Sequence, residues 1–437
     1  MSEEQSPGSA SGAGPGSDGD PAQPVNGATP APATPTRPPH AVKKLVILMI
    51  TAFVDMLGVL MVIPLLPFYA TDLNASGFVV TLLIASFSVA QLISAPLWGR
   101  FSDQYGRRPA LLVGLFASAM AYVIFAFADS LWLLFLSRLV QGAGGGTVGV
   151  IQAYVADATR PEDRAKSLGW LSAATNLGVA IGPVVGAAAL QFGRPAPGLL
   201  AAVLCLVNIV FAWRFLTESH DFAAGRASTV RKRPSREVAA RVLAHPGEPP
   251  SRLIWIYSLT MGTFQGCTAV LALFLAAKFA VTAATIGFFF TYMGGLSVLT
   301  RAVILGPLVD RLGEARLARM GLVLLGLGLG MLPFAPNYVV LAITIAALPL
   351  GTAFTFPCVT ALLSRVIGNH ERGVYMGVQQ TFGGVTRSVF PLLAGLAFDH
   401  LGHGVPFWGA ALLMAAILPL TAGLEEYTRA PAAAPAP

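Results

Sequence analysis

Asp55 is a lone acid in the apolar stretch AFVDMLGVLMVIPLLPF. It follows Lys44 by about 11 residues, which places it roughly 16 Å along a helix, near the middle of a hydrocarbon core about 30 Å thick. A carboxyl at that depth is costly unless it is paired, hydrated or protonated. It therefore has the chemistry of a proton carrier; the competing reading is a structural acid neutralised by a neighbour. Arg138, about 10 Å into a later apolar run, lies at a similar depth and is its natural counter-charge if the first and fourth helices are neighbours. Asp55 and Arg138 are accordingly the candidates for proton coupling. Gln141 and Gln152 return to the face of Arg138 at 3.6 residues per turn, with Gly142, Gly145 and Gly149 beside them. That face reads as the wall of a substrate cavity, or else as a polar seam between helices.

A second cluster is polar. Gly99 to Arg108, GRFSDQYGRR, separates two apolar runs and reads as a tight turn carrying Asp103, Arg100, Arg107 and Arg108. A variant recurs half a chain later, with Asp310 and Arg311 between Gly306 and Gly313. Asp157 ends an apolar run, where the helix dipole disfavours an acid; Arg107 or Arg108 is its candidate partner. Gly178, Gly182 and Gly186 recur every four residues on one helix face, with Pro183 among them. Small residues at that spacing admit a neighbouring backbone, and the proline suits a hinge better than static packing. In a later run, Gln380, Gly384, Arg387 and Pro391 share a face with Gly373 and Gly377. Arg387 either lines the cavity or pairs with an acid, whereas Arg301 is close enough to its helix end to snorkel.

The elements that must position these residues are membrane helices. Of 437 residues, 55% are hydrophobic and 11% charged, against about 25% charged in soluble domains; the mean hydropathy is +0.68. Twelve apolar runs lie at about 45–70, 79–98, 109–128, 131–156, 166–190, 198–216, 252–276, 284–308, 315–334, 338–363, 373–398 and 404–424. The expected organisation is a disordered tail over 1–43, a six-helix bundle over 44–216, a polar linker over 217–250, a second six-helix bundle over 251–425 and a short disordered tail over 426–437. No secretory leader is expected in the first forty residues. Arg164, Gly169 and Pro183 align with Arg372, Gly377 and Pro391, so the two bundles are pseudo-symmetric repeats, the pattern of transporters that rock about a central site.

With the N-terminus in the cytoplasm, the lysines and arginines fall on the cytoplasmic side apart from Arg138, Arg301 and Arg387 within helices and Arg194 and Lys278 outside. That bias places both termini in the cytoplasm and the chain in a cytoplasmic-type membrane. It also accounts for the net charge of +7 without nucleic acid. Cys205, Cys267 and Cys358 sit in separate apolar runs, and no P-loop, HExxH or metal-ligand spacing occurs. No enzyme activity, cofactor or metal is expected.

Together these residues resemble the major facilitator superfamily, in its twelve-helix drug:proton antiporter branch, over roughly residues 44 to 424. Gly99, Asp103, Gly106, Arg107 and Arg108 match the family's loop motif, with Gln104 in place of a basic residue. Arg138, Gln141 and Gly142 match the fourth-helix pattern. Gly178, Gly182, Pro183 and Gly186 match the antiporter motif, with Ala187 in place of the last glycine. The resemblance implies a monomeric secondary transporter that exports a small amphipathic molecule in exchange for protons. It further implies a cavity between helices one, four, seven and ten with Gln265 and Gln141 on its walls, an Asp103 that docks near the start of the eleventh helix, and an Asp157 joined to the Arg107 network. The rival readings are a metabolite uniporter or importer, and a membrane receptor or scaffold that does not transport.

Overall fold

The computed structural model describes residues 39–159, 161–218, 235–368 and 371–426. The N-terminal tail up to residue 38 and the C-terminal tail from 427 lie outside the described residues, as do 219–234 of the linker. A helix already begins at Pro39, ahead of the boundary at residue 43 read from composition.

Among the described residues, eleven helices are long and apolar enough to cross a membrane: α1 (Lys44–Thr71), α2 (Gly77–Tyr105), α3 (Arg107–Ala126), α4 (Leu131–Ala158), α5 (Lys166–Phe192), α6 (Ala196–Phe215), α7 (Pro249–Phe279), α8 (Ile286–Leu312), α9 (Glu314–Phe334), α10 (Tyr338–Val366) and α11 (Arg372–His400). A shorter apolar helix, α12 (Val405–Thr421), completes the set of twelve. The chain is thus an all-α membrane protein of two six-helix bundles. In the first, α1 packs on α5, α3 on α6, and α2 and α3 on α4. In the second, α7 packs on α11, and α9 on α10 and α12. The bundles meet through α2 with α11 and α5 with α8, two pairings that exchange under the sequence repeat. Large apolar side chains such as Ile93, Phe116, Val207, Ile343 and Leu412 point outward, as the hydrocarbon of a bilayer requires.

The polar stretch at Gly99 is helix rather than loop. Helix α2 runs on through Asp103 to Tyr105, and α3 begins at Arg107. The whole turn is Gly106, at φ 102°, a conformation with little cost only for glycine. Gly313 does the same between α8 and α9 at φ 77°, so the repeat extends to backbone geometry. The end of the molecule that carries these two turns and most of the arginines is the basic end; the other is the far end.

The linker also contains structure. Ser235–Ala244 is a helix whose Val238 and Val242 are buried, and Trp255 of α7 donates its indole N–H to the Val242 carbonyl at 3.3 Å. Arg241 meets Glu248 through two hydrogen bonds of 2.8 and 3.1 Å. The guanidinium holds the Glu248 carboxyl below the usual carboxylate range.

Candidate functional site

Helix α4 is broken. Residues 131–144 form one helix and 147–158 another, with Gly145 and Gly146 between them. The glycines let α4 approach its neighbours: a Cβ on Gly144 would lie 2.6 Å from Ala117 of α3, and one on Gly142 would lie 2.8 Å from Ala90 of α2. A break inside a membrane leaves carbonyls without partners. Helix α2 supplies them: Ser94 donates to the Gly142 carbonyl at 3.2 Å, Gln91 to Gly145 at 3.0 Å, and Trp98 to Ala143.

The second half-helix starts beside Asp55. Thr147, its first residue, donates its hydroxyl to the Asp55 carboxylate at 3.0 Å, and both side chains are 3% exposed. A helix N-terminus carries partial positive charge, so a carboxylate is favoured there. This partner was not foreseen. Its sequence signal is the run Gly144–Gly145–Gly146 followed by threonine, which marks a helix restart.

Arg138 does not pair with Asp55. Its Nε bonds to Ser137 at 3.3 Å and its guanidinium lies over the Phe125 ring at 5.5 Å, leaving one terminal nitrogen without a partner. Tyr122 lies within electrostatic reach of both Asp55 and Arg138, and its ring packs over Gly58, one turn from Asp55. Similar depth along the chain therefore does not bring the two charges together.

Two cavities meet at Asp55. The larger, about 880 Å³, is lined by Asp55, Gln141, Trp98, Gln380 and Arg387, and extends to Ser102 and Arg107 at the basic end. The smaller, about 300 Å³, lies among α1, the second half of α4 and α5, with Gln152, Thr175 and Asn176 on its walls. Gln152 therefore does not share a cavity with Gln141, because the break in α4 interrupts the helical phase that linked them. Gln265 lines neither cavity; it stands beside the seam where Gly262 and Gly266 of α7 meet Thr386 and Phe390 of α11. Arg387 lines the large one. Arg301 does not snorkel: it sits in a π-helical turn, Thr300–Ile304, and reaches Asn176 of α5 at 3.5 Å.

At the basic end Arg107 gathers Asp103 at 2.7 Å, Ser102 at 2.8 Å and Asp157 at 3.0 Å. The Asp157 contact is the one expected. Asp103 departs from expectation: 63% exposed, among the described residues it bonds only to Arg107 of its own turn, and no described residue of α11 receives it. The reason is that the bundles stand apart at this end, where the large cavity lies. Glu218, unforeseen, accepts the backbone N–H groups of Arg107 and Arg108 at 2.9 and 3.0 Å and so caps α3. Arg108 donates to the Trp213 carbonyl. Gly99 lines the cavity with open space where a Cβ would be. Asp310, the acid of the second turn, is exposed and without a partner among the described residues; there Glu314 binds Arg365 instead.

The far end is closed. Asp399 of α11 accepts the backbone N–H groups of Gly77 and Phe78 of α2 at 2.9 and 2.8 Å. A Cβ on Gly294 of α8 would lie 2.7 Å from Ala180 of α5, and one on Gly287 2.5 Å from the Pro183 carbonyl. The opposite face of α5 packs on α1: a Cβ on Gly178 would lie 2.5 Å from the Phe53 carbonyl, one on Gly182 2.8 Å from Leu60, and one on Gly186 would strike the Met61 backbone. Helix α5 is therefore held between α1 and α8, with Gly182 and Pro183 serving opposite faces.

The family model described as Major Facilitator Superfamily matches residues 48–269 and 253–437. The chain is 30% identical to the class C tetracycline resistance protein of Escherichia coli, over 80% of this chain and 88% of that one. It is 28% identical to multidrug resistance protein 1 of Bacillus subtilis (strain 168), over 86% and 95%. Among solved structures, the human organic anion transporter MFSD10 superposes with a TM-score of 0.66 at 22% identity, over 88% of this chain and all of that one.

Proposed function

The chain belongs to the Major Facilitator Superfamily, and we propose that it exports small amphipathic, drug-like molecules from the cytoplasm in exchange for protons, by alternating access. It is a membrane transporter and not an enzyme. The basic end is the cytoplasmic one, following the positive-inside rule, with both termini on that side of a cytoplasmic-type membrane. The arrangement is then inward-open: cargo enters from the cytoplasm, the far-end contacts release, the basic end closes, and cargo leaves outside. Relatives named for tetracycline and multidrug resistance support the export direction and the cargo class.

The observation that carries the coupling step is Asp55, buried at the head of the large cavity with Thr147 as its hydrogen-bond partner. A carboxyl there exchanges a proton with whichever side the cavity faces. Bound outside and released inside, the proton drives cargo the other way. A host stripped of its own exporters, challenged with a panel of lipophilic drugs, tests the reading. Expression of the parent raises tolerance to some of them and Asp55→Asn does not; no change across the panel with the parent overturns it.

A further inference from the structure

We propose that Arg387 receives an anionic oxygen group of the cargo, so that the preferred cargo is a zwitterionic amphipath; this rests on the large cavity being the cargo site. The residues that α11 contributes to that cavity are Gly377, Gln380, Thr381, Gly384 and Arg387. Three of them are polar, and two are already engaged. Gln380 donates its amide to the Tyr257 hydroxyl at 3.3 Å, and Thr381 donates to the Gly377 carbonyl at 3.0 Å. Arg387 makes no hydrogen bond or ion pair to any described residue, although it is half-buried and lies in the middle of α11. It is also the only charge that α11 contributes to this cavity.

A guanidinium at membrane depth is costly without a partner. Its planar fork of donors matches a carboxylate or a deprotonated enol, which accept two parallel hydrogen bonds. The facing wall has the complementary character. Asp55 supplies the one carboxylate of the lining, and Gln141, 2% exposed, adds a side-chain amide beside the Tyr122 hydroxyl. Arg107 at the mouth does not compete for an anion, because Asp103 and Asp157 already occupy it. A molecule with a negative group toward α11 and a positive or polar group toward α1 and α4 satisfies both walls. The cavity, about 880 Å³, falls within the roughly 300–1,000 Å³ of small-molecule sites.

The experiment measures binding of rhodamine B, which carries a carboxylate and a delocalised cation, against its ethyl ester, which keeps only the cation. The full chain in nanodiscs is titrated by fluorescence anisotropy, with empty discs as background. The parent binds the acid about tenfold or more tightly than the ester. Arg387→Gln brings that ratio close to one, and Arg387→Lys, which keeps the charge but not the fork, leaves an intermediate ratio. Failure of the parent to prefer the acid, including failure to bind it, overturns the assignment, as does an undiminished ratio in Arg387→Gln. If Arg387→Gln does not fold, the parent ratio and Arg387→Lys decide. Export of the ester under a pH gradient alongside a parent ratio of one removes the role of Arg387 and leaves the exporter reading standing. Gradient-driven export unchanged in Asp55→Asn strikes the exporter reading instead.

Discussion

Asp399 and Gly77 join the two halves of the molecule at its far end, carboxylate oxygen to backbone N–H, at 2.9 Å. The same carboxylate takes the Phe78 N–H at 2.8 Å, so one side chain of α11 caps the start of α2. Among the described residues no comparable bond crosses between α2 and α11 at the basic end, where Asp103 turns back to its own Arg107. The two ends are therefore held differently, and the far-end bond is open to intervention.

Removal of the far-end cap should shift the balance toward the opposite state. Loss of a helix cap costs about 0.5–2 kcal/mol, which is about a two- to thirty-fold change in an equilibrium. Asp399→Ala should raise the accessibility of cysteines placed in the cavity to a membrane-impermeant reagent added on the far side by a factor in that range. Unchanged accessibility would mean that the packing of α5 on α8 alone holds the far end shut.

The glycine face of α5 predicts a change of sign between positions. A Cβ on Gly182 would sit 2.8 Å from Leu60 and 2.9 Å from the Leu57 carbonyl, so Gly182→Ala should destabilise by about 1–3 kcal/mol and Gly182→Leu should abolish export. A Cβ on Gly409 of α12 would meet nothing within 4 Å, and alanine there should stabilise by about 0.5–1 kcal/mol through the backbone entropy of the unfolded chain. Thermal unfolding of the two alanine variants in one detergent gives the comparison; equal shifts would show that α5 has room to move away from α1.

Gly106 carries two constraints at once. Its φ of 102° disfavours any side chain, and a Cβ would lie 2.6 Å from the Glu218 carboxylate. Gly106→Ala should cost about 1–3 kcal/mol, and Glu218→Ala, which removes the cap on α3, at least about 0.5–2 kcal/mol. In the double variant the steric part of the Gly106 penalty disappears, so the two costs should sum to more than the double measures. Strict additivity would leave backbone strain as the whole effect.

Asp55→Asn keeps shape and hydrogen-bonding capacity and loses the titrating charge. Uphill export driven by a pH gradient should stop, while cargo binding or downhill exchange persists. In the parent, a proton on Asp55 competes with cargo, so affinity should weaken as pH falls; in Asp55→Asn the dependence should flatten. Substrate affinity against pH for both proteins checks this, and full gradient-driven efflux by the variant would assign the coupling proton to another group.

Much of this was legible in the chain before its fold was known. Apolar runs of membrane length located the spans, because hydrocarbon admits little else, and the four-residue glycine spacing on α5 correctly marked a close-packed face. The contact between Asp157 and Arg107 followed from an acid at an unfavourable helix end. What stayed hidden depends on three-dimensional packing. Arg138 and Asp55 have matching depths, but only the fold gives Asp55 to Thr147 and Arg138 to Ser137 and the Phe125 ring. Gln152 lost its place beside Gln141 because a break at Gly145 and Gly146 resets the helical phase. Glu218 and Asp399 cap helices remote in sequence, and no local pattern announces that. Asp103 was expected on α11, yet no local pattern says whether α2 and α11 meet at that end.

Because Asp55 borders both cavities, a passenger seated in the larger one leaves the smaller beside the same carboxyl. Gln152, Thr175 and Asn176 keep a second polar approach to the same carboxyl from the side of α5. With cargo in the larger cavity, as proposed, occupancy by a bulky passenger and contact of the acid with its surroundings need not be one event.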